Sequence, residues 1–412
     1  MNSKYQIIVL FRYFNIILLY FLDISVSNYY IFVFLNINDM ILRSPQNEIN
    51  SHLFKGKAII VFGARQVGKT SLIKNTIVGK PYLWLNGDEP DTQLLLENIT
   101  SDRLKALVGD NQILVIDEAQ MVHNIGLLIK RMVDNYPEIQ VIASGSSAFE
   151  LADKTKESMM GRKEEIQLFP FSFNEMVKHT NFIEENRLVP HRLVFGYYPE
   201  VVNNVGKEEK ILNDLVDGFL YKDILNLEGI KKSSTLQKLV QMLAYRVGSE
   251  ISYSSLANDL GINRLTIEKY IDILENNFII FSLTAFSKNQ DNELKKGRKV
   301  YFWDNGLRNR IIKNFNPIEV RADIGALWEN FIISEKKKKL IYEHKFTDTY
   351  FWRNTQHAEI DYLEIKNEEI KAFEIKYSAK QKVKFTKSFT EKYHPKTTQV
   401  IHKENFWDYL LG

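Results

Sequence analysis

The sequence predicts an α/β chain built on a parallel sheet, and three stretches carry that prediction. The first is Gly63-Ala64-Arg65-Gln66-Val67-Gly68-Lys69-Thr70, which fits G-x-x-x-x-G-K-[ST]. The second is Ile113-Leu114-Val115-Ile116-Asp117-Glu118, four apolar residues running into two carboxylates. The third, Gln140-Val141-Ile142-Ala143-Ser144-Gly145-Ser146-Ser147, is another apolar run with a small polar tip.

The loop has the context its chemistry requires. Ala58-Ile59-Ile60-Val61-Phe62 before it reads as a buried parallel strand, and Ser71-Leu72-Ile73-Lys74-Asn75 after it opens a helix. Glycines let the backbone curl so that successive N–H groups face phosphate oxygens, and the helix adds its positive end. Gly63, Ala64, Arg65, Gln66, Val67, Gly68, Lys69, Thr70 and Ser71 are therefore the candidate nucleotide-binding residues. Lys69 would reach the β- and γ-phosphates, and the Thr70 hydroxyl would take a Mg²⁺ position. A chance glycine-rich turn would lack this order of strand, loop, Lys-Thr and helix.

A buried parallel strand delivers its last side chains to the carboxyl edge of the sheet, where open α/β sheets bind ligands. Asp117 is expected to hold Mg²⁺ through water and Glu118 to polarise the attacking water as general base. The strand leading to Ser144 and Ser146 is expected between the two catalytic strands. Its serines could then touch the γ-phosphate or the water, although a plain strand-to-helix turn reads equally well. Arg162, after Gly161, is a candidate finger for a neighbouring subunit's γ-phosphate, with an ordinary surface arginine as the alternative. Arg65 could serve phosphate, DNA or a subunit contact. No Asn-Lys-x-Asp guanine reader is present, which favours ATP.

Composition sets outer bounds. The 412 residues suggest two to four domains, and 45% hydrophobic with 25% charged content is ordinary for a globular chain. A net charge of +3 is too small for the whole molecule to act as a polyanion binder, so nucleic-acid contact must come from local patches. With no cysteine, disulfides, thiolate metal sites and thiol nucleophiles are excluded, in keeping with a cytoplasmic setting.

The first 39 residues read differently. Residues 5–22 are largely apolar but hold Arg12, and a second apolar run, 24–37, follows Asp23. A membrane helix needs about 20 apolar residues, and a central arginine opposes insertion by about 2.5–3.5 kcal/mol. Three readings stay open: an extension upstream of a true start at Met40, a membrane anchor, or a signal peptide without a small-x-small cleavage site. ATP chemistry places the body in the cytoplasm in each case, so membrane partnership is not expected unless this leader is real.

Beyond Phe169-Pro170-Phe171 the pattern turns helical, breaks at Gly196-Tyr197-Tyr198-Pro199-Glu200, and resumes amphipathically over 207–225 as a lid. Residues 252–280 read as helix-turn-helix, with a turn at Gly261 and with Ile267, Tyr270, Ile271 and Leu274 at helical spacing. Residues 278–283 and 300–303 would form a winged hairpin around the basic tip Lys295-Lys296-Gly297-Arg298-Lys299. Such a module suggests duplex DNA. Arg264 and Lys269 share the second helix with Glu268, Asp272 and Glu275, so phosphate contact by the wing is expected ahead of base reading.

The last segment gathers a second set of charges. Glu329 lies on a helix, and Glu359-Ile360-Asp361 and Glu374-Ile375-Lys376 lie on strands, with Glu374 and Lys376 on one face. This is how metal-dependent phosphodiesterases assemble Mg²⁺ and an activating lysine. Asp361 and Glu374 would bind metal, Lys376 would position water or stabilise charge, and Glu329 would support the metal. The alternative is an exposed sheet face. Lys336-Lys337-Lys338-Lys339 reads as a solvated helix end.

Together these motifs resemble a family of prokaryotic AAA-family ATPases with a C-terminal domain of unknown function, containing a winged helix and a PD-(D/E)XK nuclease-like module. The resemblance runs from Met40 to the end and rests on the phosphate loop, Asp117-Glu118-Ala119-Gln120, Ser144-Gly145-Ser146-Ser147, Gly161-Arg162, Gly196 through Glu200, and the two C-terminal triplets. It implies ATP binding and hydrolysis with Mg²⁺, and a restriction-endonuclease-like α/β fold. Ala64 stands where proline is usual, and Ile360-Asp361 replaces Pro-Asp. The expected division is a leader (1–39), an ATPase core (40–190), a helical lid (191–232), a winged helix (233–316) and a nuclease-like domain (317–412). A homo-oligomer or a protein partner stays open, as does a nucleotide-dependent switch with a silent nuclease fold.

Overall fold

The computed structural model describes residues 7–12, 15–20, 41–145, 159–223, 233–287, 297–356, 358–381 and 383–412. Contacts divide the chain into residues 1–42 and 43–412. In the first unit, β1 (Ile7–Arg12) and β2 (Asn15–Tyr20) form an antiparallel pair.

The larger unit begins with α1 (Gln46–His52) and then alternates strand and helix. β3 (Ala58–Gly63) leads through the glycine loop into α2 (Lys69–Thr76), and β4 (Tyr82–Asn86) into α3 (Pro90–Glu97) and α4 (Ser101–Val108). β5 (Ile113–Asp117), α5 (Ile125–Asn135), β6 (Gln140–Gly145) and β7 (Lys163–Leu168) complete a parallel sheet of order β4-β5-β6-β3-β7. β3, β5 and β6 are buried along their whole length, which is why they read as unbroken apolar runs. β6 lies between β3 and β5, as expected. The helical stretch expected over 91–108 is two helices, because Thr100 caps α4 by accepting from the Arg103 N–H.

Next come α6 (Phe173–His179), α7 (Phe182–Phe195), α8 (Pro199–Asn203) and α9 (Glu208–Leu215), which runs on into a π-helical stretch, Val216–Asp223. These helices serve the C-terminal half: Asn309 donates to the carbonyls of Leu193 and Val194, and Asp304 accepts from Tyr197 N–H at 2.6 Å.

The remaining chain forms α10 (Ser233–Tyr245), β8 (Glu250–Ile251), α11 (Tyr253–Leu260), α12 (Arg264–Asn276), β9 (Ile280–Ala285) and β10 (Arg298–Phe302). α13 (Asn305–Ile311) and α14 (Ile324–Tyr342) follow, then β11 (Asp348–Arg353), β12 (Glu359–Lys366), β13 (Glu369–Ile375), α15 (Lys387–Tyr393), β14 (Thr397–Ile401) and α16 (Phe406–Leu411). Ile267, Tyr270, Ile271 and Leu274 of α12 are buried, as their spacing predicts.

The strands on either side of residue 316 belong to one seven-stranded sheet of order β14-β13-β12-β11-β9-β10-β8. The junction is a parallel pairing of Thr284 with Tyr350 and Ala285 with Phe351. α14 packs this sheet against the segment that follows β7, with Trp328 enclosed by Phe331, Tyr377 and Phe406.

The expectation that Lys336-Lys337-Lys338-Lys339 is a solvated helix end is corrected here. Lys338 and Lys339 are buried, and each amine of the run has a partner. Lys336 meets Glu364, Lys337 donates to Thr349, Lys338 to the Phe171 carbonyl and Glu335, and Lys339 to the Gly412 carbonyl. Buried amines persist because every one is hydrogen-bonded or ion-paired.

Candidate functional site

The phosphate loop leaves β3 at Gly63, where an added Cβ would overlap the Leu168 carbonyl oxygen of the neighbouring strand. Gly68 (φ +94°) and Gln66 (φ +61°) adopt left-handed backbone, which curls the peptide before α2 begins at Lys69. Lys69 is buried, and its amine donates to the Gly63 and Ala64 carbonyls at 2.9 and 3.0 Å. Burial lowers its pKa, opposed by the charges of Glu118 and Asp117. Arg65 lies 3.8 Å from Asp88. Ser71 is the third residue of α2, on the exposed side.

β5 and β6 bring the expected partners to this loop. The Thr70 hydroxyl donates to Asp117 Oδ2 at 2.9 Å, and Ser144 Oγ donates to Asp117 Oδ1. Glu118 has left-handed backbone (φ 48°), and its N–H reaches Asp117 Oδ1 and Ser144 Oγ at 3.2 and 3.3 Å. Its carboxylate accepts from Gln120 Nε2 at 2.6 Å. The structure thus brings together Lys69, Thr70, Asp117, Glu118 and Ser144. Ser146 lies outside the described residues. Arg162 stands elsewhere: its carbonyl accepts from Ala58 N–H at the start of β3, the opposite end of the strand from the loop, and its side chain pairs with Asp134 at 2.6 Å. Within one chain it does not reach the loop.

Hard oxygen donors from Thr70 and Asp117, already within hydrogen-bond distance of each other, fit a magnesium ion. Gln120 had appeared in the sequence only as part of a motif, and Arg43 carried no signal at all. Arg43 is buried and donates to the Val67 carbonyl inside the loop at 2.6 Å.

Two lysines sit among the C-terminal charges, and the Asp361 charge bears on both. Lys376 Nζ lies 2.7 Å from Asp361 Oδ2 and 2.9 Å from Glu374 Oε2, and Asp361 also accepts from Ile375 N–H at 2.8 Å. Burial and the adjacent Asp361 charge push Glu374 up to about 7. Glu329 instead accepts from Tyr301 Oη at 2.7 Å and faces Lys299 Nζ at 3.3 Å; Lys299 also pairs with Glu359. Burial pushes Glu329 up to about 7 against the opposing Lys299 charge.

Among the described residues no group of three or more acidic, histidine or cysteine side chains is placed to hold a metal. Asp361 and Glu374 fit a hard cation as a pair, and Glu329 is held by Lys299 and Tyr301. The expected basic tip is corrected in part: Lys299 is 2% exposed and sits in this carboxylate centre, leaving it unavailable to a nucleic-acid backbone. Arg298 lies over the Tyr253 ring at 5.5 Å, and Lys295 and Lys296 lie outside the described residues. Glu359, two residues before Asp361 on the same strand face, is the sequence signal for this centre.

Comparison with known proteins agrees with the first half of this picture. Residues 55–177 match a family described as an AAA domain, 186–317 a domain of unknown function (DUF8612), and 324–407 another domain of unknown function (DUF4143). These matches support an AAA-type ATPase-like chain with C-terminal domains of unknown function. The middle match spans both the expected lid and the helix-turn-helix segment. An uncharacterized protein of Mycobacterium tuberculosis is 26% identical over 341 residues, covering 81% of this chain and 73% of its own. One from Methanocaldococcus jannaschii is 24% identical over 343 residues, covering 77% and 74%. Among solved structures, a Walker-type ATPase of Pyrococcus abyssi aligns with TM-score 0.46 at 15% identity, over 66% of this chain and 96% of that one. No helix among the described residues is long and apolar enough to cross a membrane.

Proposed function

We propose that the chain binds ATP at residues 63–71 and hydrolyses it, and that nucleotide state governs a C-terminal module that engages DNA. The observation that carries the ATP reading is the convergence of Thr70, Asp117, Ser144 and Glu118 at the carboxyl ends of β3, β5 and β6, within the AAA match.

Loop N–H groups and the α2 terminus bind the phosphates, and Lys69 moves from the loop carbonyls to the β- and γ-phosphates. Thr70 directly, and Asp117 through water, would hold Mg²⁺, which supplies charge neutralisation at the β- and γ-oxygens. Ser144 fixes the Asp117 carboxylate. Glu118, steadied by Gln120, takes a proton from water as it attacks the γ-phosphorus in line and ADP departs. Arg162 would act on a neighbouring copy's nucleotide. The test is steady-state ATP hydrolysis by wild type and Glu118→Gln; wild-type turnover no higher than the variant's would sink the reading.

Support for the DNA reading comes from element order. Helix α10, β8, α11, α12, β9 and β10, with β10 between β8 and β9, follow the succession of a winged helix. A second reading, a nucleotide switch with a silent nuclease fold, is favoured by Lys299, whose ion pairs occupy the Glu329 and Glu359 carboxylates. Incubation with DNA and Mn²⁺ separates the two: cleavage lost in Glu374→Ala supports a nuclease, and intact DNA beside active ATP hydrolysis supports the switch.

A further inference from the structure

Arg43 uses its whole guanidinium in the interior. Nη1 donates to the Val67 carbonyl at 2.6 Å, Nη2 to the Phe169 carbonyl at 2.5 Å, and Nε pairs with Glu175 at 3.2 Å. Its plane lies 4.7 Å from the Phe171 ring centre. It also borders Gly68, where a Cβ would stand 3.5 Å from Nη1. One buried cation therefore holds the middle of the phosphate loop to the strap, residues 169–175, that follows β7.

The other side of that strap is held by α14. Phe169 N–H donates to Tyr342 Oη at 3.1 Å, Lys338 donates to the Phe171 carbonyl at 3.1 Å, and Phe173 N–H donates to Glu335 at 2.6 Å. Glu335 and Lys338 are paired at 2.7 Å and almost wholly buried. The Phe169 ring packs at 4.2 Å on Trp303, at the end of the strand that supplies Lys299. Every contact from loop to helix is thus a buried or partly buried hydrogen bond, ion pair or ring contact. α14 is also the helix that carries Glu329.

We propose that Arg43 is a positioning residue of the nucleotide site, and that through the 169–175 strap it couples phosphate-loop occupancy to α14. The proposal rests on the ATP reading. A loop that turns its N–H groups toward phosphate must turn the Val67 carbonyl away, and Arg43 holds that carbonyl in the required direction. When phosphate settles in the loop, the guanidinium can follow only by pulling on Phe169, Glu175 and Tyr342, to each of which it is bonded, and Tyr342 carries the pull to its helix. Coupling of this kind is reciprocal, so a ligand that shifts α14 alters nucleotide affinity by the same factor.

The test is amide hydrogen exchange on the whole chain with and without a non-hydrolysable ATP analogue and Mg²⁺. In the wild type, exchange should slow at the loop and also across 169–175 and 324–342. Tyr342→Phe, which removes the hydroxyl bonded to Phe169 N–H and to Arg43, should keep the loop response and weaken the response of α14, which Lys338 and Glu335 still hold to the strap. Arg43→Lys keeps the charge but loses the fork; it should weaken analogue binding about tenfold, the size expected for lost charged hydrogen bonds, and blunt both distant responses. A wild-type α14 that stays silent while the loop is protected overturns the coupling, as does a full α14 response in Tyr342→Phe. A loop that shows no protection in the wild type overturns the ATP reading itself, and the coupling with it.

Discussion

Thr70 and Asp117 stand 47 residues apart in the chain and are joined by a 2.9 Å hydrogen bond. A hydroxyl and a carboxylate so placed can share one hard cation between β3 and β5. Thr70→Ala and Asp117→Asn should each weaken ATP binding about tenfold or more in Mg²⁺, and far less in EDTA. Titration with a fluorescent ATP analogue under both conditions reads this difference. Equal losses with and without Mg²⁺ would remove the cation assignment.

Lys69→Ala should lose the phosphate contact altogether, whereas Glu118→Gln should retain ATP and fail to turn it over. A general base contributes about 10²–10⁴-fold, so turnover in Glu118→Gln should fall by that much with affinity changed severalfold at most. Gln120→Ala should show a smaller loss of turnover, about tenfold, because it only steadies the base. Turnover near the wild-type rate in Glu118→Gln would mean another residue activates the water.

The C-terminal carboxylates give stability a pH signature. Glu374 and Glu329 are each raised from an ordinary 4.5 to about 7 in the folded chain. Between those values the folded state holds more protons than the unfolded one, so their contribution declines as pH rises from about 4.5 through 7. Denaturation midpoints followed across that window should fall, and Glu374→Gln should flatten the fall. An unchanged slope in the variant would show that the carboxyl does not share the protonated centre.

Asp323 behaves oppositely. Burial would raise its pKa, but hydrogen bonds from Arg321 and Arg308 outweigh that and hold it well below its usual 3.8. Its contribution is present above 3.8 and is lost as pH falls below it. Asp323→Asn leaves two buried guanidinium groups with a neutral partner and should destabilise by about 3 kcal/mol at neutral pH. Its acid-side loss should be shallower than the wild type's in the same denaturation series.

What the sequence disclosed and what it hid follow from the range of the interactions. The glycine loop, the strand ending at Asp117 and the strand ending at Ser144 are local patterns, and both the central position of β6 and the Thr70–Asp117 meeting agree with them. Arg43 is different: its partners Val67, Phe169 and Glu175 are up to 132 residues away, and no local period marks them. The sequence pattern puts Lys299 on a basic wing tip and Lys336 through Lys339 on a solvated helix end because charge is ordinarily exposed, and they are held inside by groups contributed from distant elements. Glu329 sits on the predicted helix, where it pairs with a lysine from another strand and also feels the Asp361 charge.

The parallel pairing of β9 with β11 makes the helix-turn-helix segment and the carboxylate strands a single mechanical body. A chain cut near residue 316 would therefore yield two fragments, each with a raw strand edge of unpaired N–H and C=O groups. Such edges recruit other strands, so the severed halves should stick to one another, or to further copies, before either behaves as an independent module.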